Sequence, residues 1–104
     1  MSHDYGAQRA DTYKTFAEIG KNESWPKKAV VVFQFYPEDI EAKWAAVEKA
    51  LRAKGFRTSH DEHLLDARIG PIDINPDEIW RYERMATEAA LPFEFYPEGW
   101  ELDD

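Results

Sequence analysis

Cysteine is absent from the 104 residues, which excludes disulfides, thiol nucleophiles and cysteine-ligated zinc or iron–sulfur centres. Any metal chemistry would have to rest on histidine and carboxylate. No apolar run approaches the ~18 residues a membrane span requires, and the opening Met1-Ser2-His3-Asp4 lacks the basic-then-apolar pattern of an export signal. A soluble, cytoplasmic chain with no membrane partner is expected. Basic charge is scarce as well: 13 Lys and Arg face 21 Asp and Glu, for a formal charge of −8. That balance opposes any surface that works by neutralising phosphates, so direct nucleic-acid binding is not expected. The five glycines are scattered and build no phosphate loop, and Ser2, Ser24 and Ser59 lie in no Gly-x-Ser-x-Gly elbow. No catalytic residue and no cofactor are expected.

Aliphatic residues are few too. Leu, Ile, Val and Phe make up 21 of 104 residues, close to the roughly 20% below which highly charged chains stay disordered. Four Trp and five Tyr must therefore help build the core, each able to bury about 150–250 Å². The length suits one folding unit. Its parts read as an N-terminal helix and connector over 1–28, then a domain over 29–104. The acidic excess belongs to the second half, where residues 57–104 carry four arginines against thirteen acids.

Periodicity sets the elements. Ala10, Tyr13, Phe16, Ala17 and Ile19 predict a helix from Arg9 to Ile19, with Gly20 as its left-handed stop. Lys21 to Lys28 reads as a connector around Asn22, Ser24 and Pro26, with Trp25 as its anchor. Ala29 to Tyr36 is a β-branched and aromatic run that Pro37 closes, hence a strand. Ile40, Trp44, Val47 and Leu51 predict an amphipathic helix from Glu38 to Lys54, acidic in its first turn and ended by Gly55. Phe56 to Leu64 and Leu65 to Ile74 predict a hairpin of two strands, the second interrupted by Gly70-Pro71. Asn75-Pro76-Asp77-Glu78 is a helix start with a cap, a proline at the first position and a glutamate able to reach back. The helix should run to Ala90 and bury Ile79, Tyr82, Met85 or Ala86, and Ala89. Phe93 to Tyr96 alternates as a last strand before Pro97.

Strand, helix, strand, strand, helix, strand predicts an α+β fold of the ferredoxin-like βαββαβ kind, a four-stranded antiparallel sheet with two helices on one face. Phe33-Gln34-Phe35-Tyr36-Pro37-Glu38 is echoed in Phe93-Glu94-Phe95-Tyr96-Pro97-Glu98. The echo fits two strands that each send a pair of Phe into the core, and it also brings Tyr36 and Tyr96 toward one exposed platform. His60-Asp61-Glu62-His63 lacks the His-Glu-x-x-His spacing of a zinc helix and reads as a solvated hairpin end, so no metal site is expected. Glu94 to Asp104 holds five acids, no base, Tyr96 and Trp100. Glu94, Tyr96, Glu98, Trp100 and Glu101 are therefore the candidate protein-binding residues, an acidic and aromatic edge for a basic segment.

Ile19-Gly20, Pro26, Phe35, Glu38-Asp39, Ala46-Val47-Glu48 through Gly55-Phe56, then Tyr96, Gly99 and Trp100 together resemble, in order and spacing over roughly residues 10–102, the family of the regulator of ribonuclease E activity, protein B. The resemblance implies a ferredoxin-like domain preceded by a helix, which binds ribonuclease E without catalysis and modulates RNA degradation. The acidic stretch between the middle strands is shorter here, and no long acidic tail follows Trp100. A second reading keeps a monomer or weak homodimer in view. Val30, Val32 and Tyr36 form an apolar strip opposite Val31, Phe33 and Phe35, and two such faces could pair into an α+β barrel around a small molecule.

Overall fold

The structure, a computed structural model, describes residues 3–20, 25–38 and 41–103. Asn22 and Ser24 of the expected connector, Asp39 and Ile40 of the expected second helix, and the terminal Asp104 lie outside the described residues. The order is α1 (Tyr5–Gly20), β1 (Lys28–Pro37), α2 (Trp44–Ala53), β2 (Arg57–His60), β3 (Leu65–Asp73), α3 (Pro76–Ala90), a 3-10 turn (Leu91–Phe93) and β4 (Phe95–Asp103). The fold is α+β. Its four strands form one antiparallel sheet in the order β2-β3-β1-β4.

Alternation along β1 decides what each sheet face holds. Val31, Phe33 and Phe35 point to one face with their register partners Leu65, Ala67, Ile69, Trp100 and Leu102. On that face they meet Val47 and Leu51 of α2, Ile79, Ala86 and Ala90 of α3, and Phe56 and Phe95. Val30, Val32, Gln34 and Tyr36 point to the other. α1 does not cover that second face. It docks on α3 instead.

The helix termini follow local chemistry. Asp4 caps α1 by accepting from the Ala7 amide at 3.0 Å, so the helix starts at Tyr5 and not at Arg9. Its inward residues are Gln8, Thr12, Phe16 and Ile19, while Ala10 and Ala17 are exposed; the polar first half of that stripe is invisible to a search for apolar periodicity. Gly20 does not take up a left-handed conformation. Its missing side chain makes room for the Trp25 indole, whose Nε1 would lie 2.8 Å from an added Cβ. α2 starts at Trp44, six residues later than expected, because the Glu38 amide bonds the Glu94 carbonyl at 3.1 Å and keeps Glu38 with the sheet. Its other end is a Schellman turn: Gly55 (φ +100°) donates to Arg52, Phe56 donates to Leu51, and the last two are buried together. Asn75 caps α3 by accepting from Glu78 at 2.8 Å. The Glu78 carboxylate turns outward to Arg81.

Two prolines sit inside strands, not at their ends. β3 runs unbroken through Gly70-Pro71, where two of its residues oppose Val30 in a bulge. Gly70 stands at φ +123°, and an added Cβ would meet the Ala29 carbonyl at 2.9 Å. β4 runs through Pro97 to Asp103, and Glu98 is the extra residue of a second bulge between the Gln34–Gly99 and Phe35–Pro97 pairs. Proline is tolerated there because β4 is an edge strand and Pro97 flanks a bulge. The acidic C-terminal stretch is therefore strand, up to Asp103. Of the echoed segments, Phe95 enters the core but Phe93 belongs to the 3-10 turn.

Candidate functional site

The bulge at Glu98 splits the expected binding residues between the two faces of the sheet. Glu101 and Tyr96 look out from the open face, where they are register partners of Val32 and Tyr36. Trp100 pairs with Phe33 and turns to the helix side, where its ring lies 6.2 Å from Trp25. Trp25 in turn stacks on Phe16 of α1 at 4.5 Å. Glu94 occupies the left-handed position that ends the 3-10 turn. The five residues are one strand edge in sequence but two surfaces in space.

On the open face, Tyr36 and Tyr96 lie 5.8 Å apart, and the Tyr96 hydroxyl donates to Glu38 at 3.1 Å. That bond raises the phenol's pKa, because the carboxylate acceptor is satisfied only while the proton is present. The apolar strip expected here is already coated. Arg68 of β3 donates to Ser59 at 2.9 Å and to Asp103 of β4 at 3.1 Å. Because β1 lies between β3 and β4, the Arg68–Asp103 bridge crosses it beside Val30 and Val32. Val32 is only 2% exposed, which leaves Tyr36, at 42%, as the exposed large apolar residue.

The helix side holds an opening of its own. A groove of about 630 Å³ runs between α1 and the β4 bulge, with α3 at its base. Asp4, Asp11 and Glu18 line one wall, Glu98, Gly99 and Trp100 the other, and Lys14 is the lysine or arginine among them. Among the described residues, none of these four carboxylates forms an ion pair. At the base sits Glu83 of α3, 4% exposed, which accepts a hydrogen bond from the Thr12 hydroxyl of α1. Burial pushes the Glu83 carboxyl up to about 7; Thr12 and Gln8 hold it down, Asp11 pushes it further up, and His3 opposes Asp11. Sequence reasoning passed over Glu83. The available signal was its phase: Ile79, Glu83, Ala86 and Ala90 share one helical stripe, so a charged residue stood where the core was due.

A second buried carboxylate lies at the opposite edge. Glu48 of α2, 8% exposed, accepts from Arg52 at 2.8 Å, from Thr58 at 3.1 Å, and pairs with His60 Nδ1. Burial raises its pKa, but the bonds from His60 and Thr58 and the Arg52 charge outweigh it, and the net direction is down. The His60 ring stacks on Trp44 at 4.3 Å. This corrects the expectation of a wholly solvated hairpin end. His60 shares the core face of β2 with Thr58, because both pair with core-facing residues of β3. His63 is exposed in the turn, where the Asp61 carboxylate accepts the amides of His63 and Leu64. Neither the groove nor the smaller cleft beside Glu41 and Phe93 is lined by the Glu48–His60 pair. No group of His and carboxylate side chains among the described residues is arranged to hold a metal, and no helix among them is long and apolar enough to cross a membrane. Compared with the known protein families and with curated proteins, the chain finds no match in either.

Proposed function

We propose that this chain is a non-catalytic, ferredoxin-like protein-binding domain whose groove between α1 and β4 accepts a basic segment of a partner protein. One observation carries the reading. Asp4, Asp11, Glu18 and Glu98 surround a single concave surface and, among the described residues, form no ion pairs, with Lys14 and His3 as the basic side chains of the lining. Like charges held together in a cleft focus a negative potential, which speeds encounter with a cationic partner and favours its register. Trp100 in the wall adds an aromatic surface on which an arginine or lysine stem can lie. Of the residues expected from sequence, Glu98 and Trp100 belong to this site; Tyr96 and Glu101 belong to the other face. The resemblance to the ribonuclease E regulator family supplies the partner to try first, the basic scaffold region of ribonuclease E.

Calorimetric titration with that region, and with a synthetic lysine- and arginine-rich peptide, tests the reading. Binding should weaken as salt rises and should weaken further in the Asp11→Lys and Glu98→Lys variants. Glu101→Lys, on the opposite face, should bind as the unaltered chain does. Absence of binding at low salt, or sensitivity to Glu101→Lys in place of Glu98→Lys, refutes the assignment of the groove. The alternative of two open faces closing into a small-molecule barrel draws less support, since the Arg68–Asp103 bridge already covers Val32.

A further inference from the structure

We infer that α1 is a proton-controlled wall of the groove: it lies on α3 while Glu83 is neutral and lifts away when Glu83 ionises. The inference concerns the free chain and does not depend on what the groove binds.

Side-chain hydrogen bonds attach α1 to α3: Gln8 donates to Thr87 at 2.9 Å, Thr12 donates to Glu83, and Tyr13 donates to Asp77. Thr12 is the buried residue of the helix. Packing against the core belongs to the C-terminal part, where Phe16 stacks on Trp25; at the N-terminal end the Tyr5 ring lies half-buried under the Arg84 guanidinium of α3 at 5.4 Å. A helix held this way gains little from burying apolar area, so its docking depends on each polar group at the contact staying satisfied.

Glu83 is the group at risk. It sits in the centre of the contact, between Gln8 and Thr12 on one side and its own helix on the other. A neutral carboxyl can be buried there against a hydroxyl. A carboxylate can be buried only with a compensating cation, and the charged groups around it supply mostly the wrong sign: Asp11 and Glu18 from α1, Asp4 just before it and Glu98 from β4, against Lys14 and His3. Lifting the N-terminal part of α1 about the Phe16–Trp25 stack returns the carboxylate to water and relieves the conflict. The position of Glu83, with its carboxyl held up to about 7 by burial, puts this change near neutral pH. When the N-terminal part of α1 lifts, Asp4 and Asp11 leave the groove while Glu18, beyond the Phe16 pivot, stays, so the same proton governs whether the acidic wall is fully assembled.

Amide hydrogen exchange from pH 6 to 8.5, corrected for the intrinsic rate, tests this. Protection in residues 7–14 should fall tenfold or more across the range while that in β1 holds. Glu83→Gln, which stays neutral at all pH, should leave α1 protection flat. A carbon-detected titration of the Glu83 carboxyl in the unaltered chain keeps the test independent of whether the variant folds. Uniform pH dependence of α1 and β1, an unchanged pH response in Glu83→Gln, or titration of Glu83 in the ordinary range near 4.5 would each overturn the inference.

Discussion

Replacing Glu83 by glutamine should stabilise the protein above neutral pH and do little in acid, although it removes a charged residue from an acidic protein. The magnitude follows from the burial of the carboxyl. Its pKa is 4.5 when solvated and about 7 in the fold. The folded chain therefore keeps this proton over a window in which the unfolded chain has lost it, and unfolding releases a proton there. Stability from this group is greatest below 4.5, declines as pH rises, and reaches its full penalty above about 7. At about 1.4 kcal/mol per unit, the shift corresponds to roughly 3 kcal/mol. Glutamine keeps the neutral amide against Thr12 and has no such window, so the difference between variant and wild type isolates Glu83 from the other acids. Urea unfolding at pH 5 and pH 8 is the assay. With a slope of about 1–3 kcal/mol per molar, the variant's midpoint should exceed the wild type's by roughly 1–3 M at pH 8. At pH 5 the two should nearly coincide. Release of α1 sets a ceiling on the penalty, because a lifted helix leaves Glu83 solvated before the sheet unfolds. A variant difference of equal size at both pH values refutes the reasoning.

Glu48 should behave in the opposite sense, because its bonded environment holds the carboxyl down. Its contribution is present above the ordinary glutamate range and lost as acid protonates it in the fold. Glu48→Gln should therefore cost about 1.5–3 kcal/mol at pH 7, as for a charge-assisted hydrogen-bond network, and less at pH 3, read by the same unfolding assay. Gly70→Ala should destabilise by more than Gly55→Ala. Both stand at positive φ, a strain of about 1–3 kcal/mol, but only at Gly70 does the new Cβ strike backbone; equal melting temperatures in the two variants would contradict this. Asn75→Ala removes the acceptor of the Glu78 amide and should cost about 1 kcal/mol, with thermal melts as the check. Arg68→Ala should expose Val32 and raise binding of an apolar dye to the open face, since it deletes the bridge to Asp103.

Some of this molecule could be read residue by residue along the chain. The strand at Ala29 to Tyr36, the stop at Gly55 and the start at Asn75 all depend on neighbours within four or five positions, so local order specifies them. The succession of elements and the antiparallel α+β sheet followed from those pieces. Distant contacts decided the rest. Pro97 ends a strand in most settings, but its position on an edge and beside a bulge let β4 continue to Asp103, which turned an acidic tail into a sheet edge with two faces. Glu83 is an ordinary glutamate until α1, seventy residues earlier in the chain, closes over it. His60 likewise acquires its partner only because the β2–β3 register aims it at α2. Burial and charge pairing are properties of groups that meet in space, so the chemistry of the groove emerged only with the packing of α1 on α3.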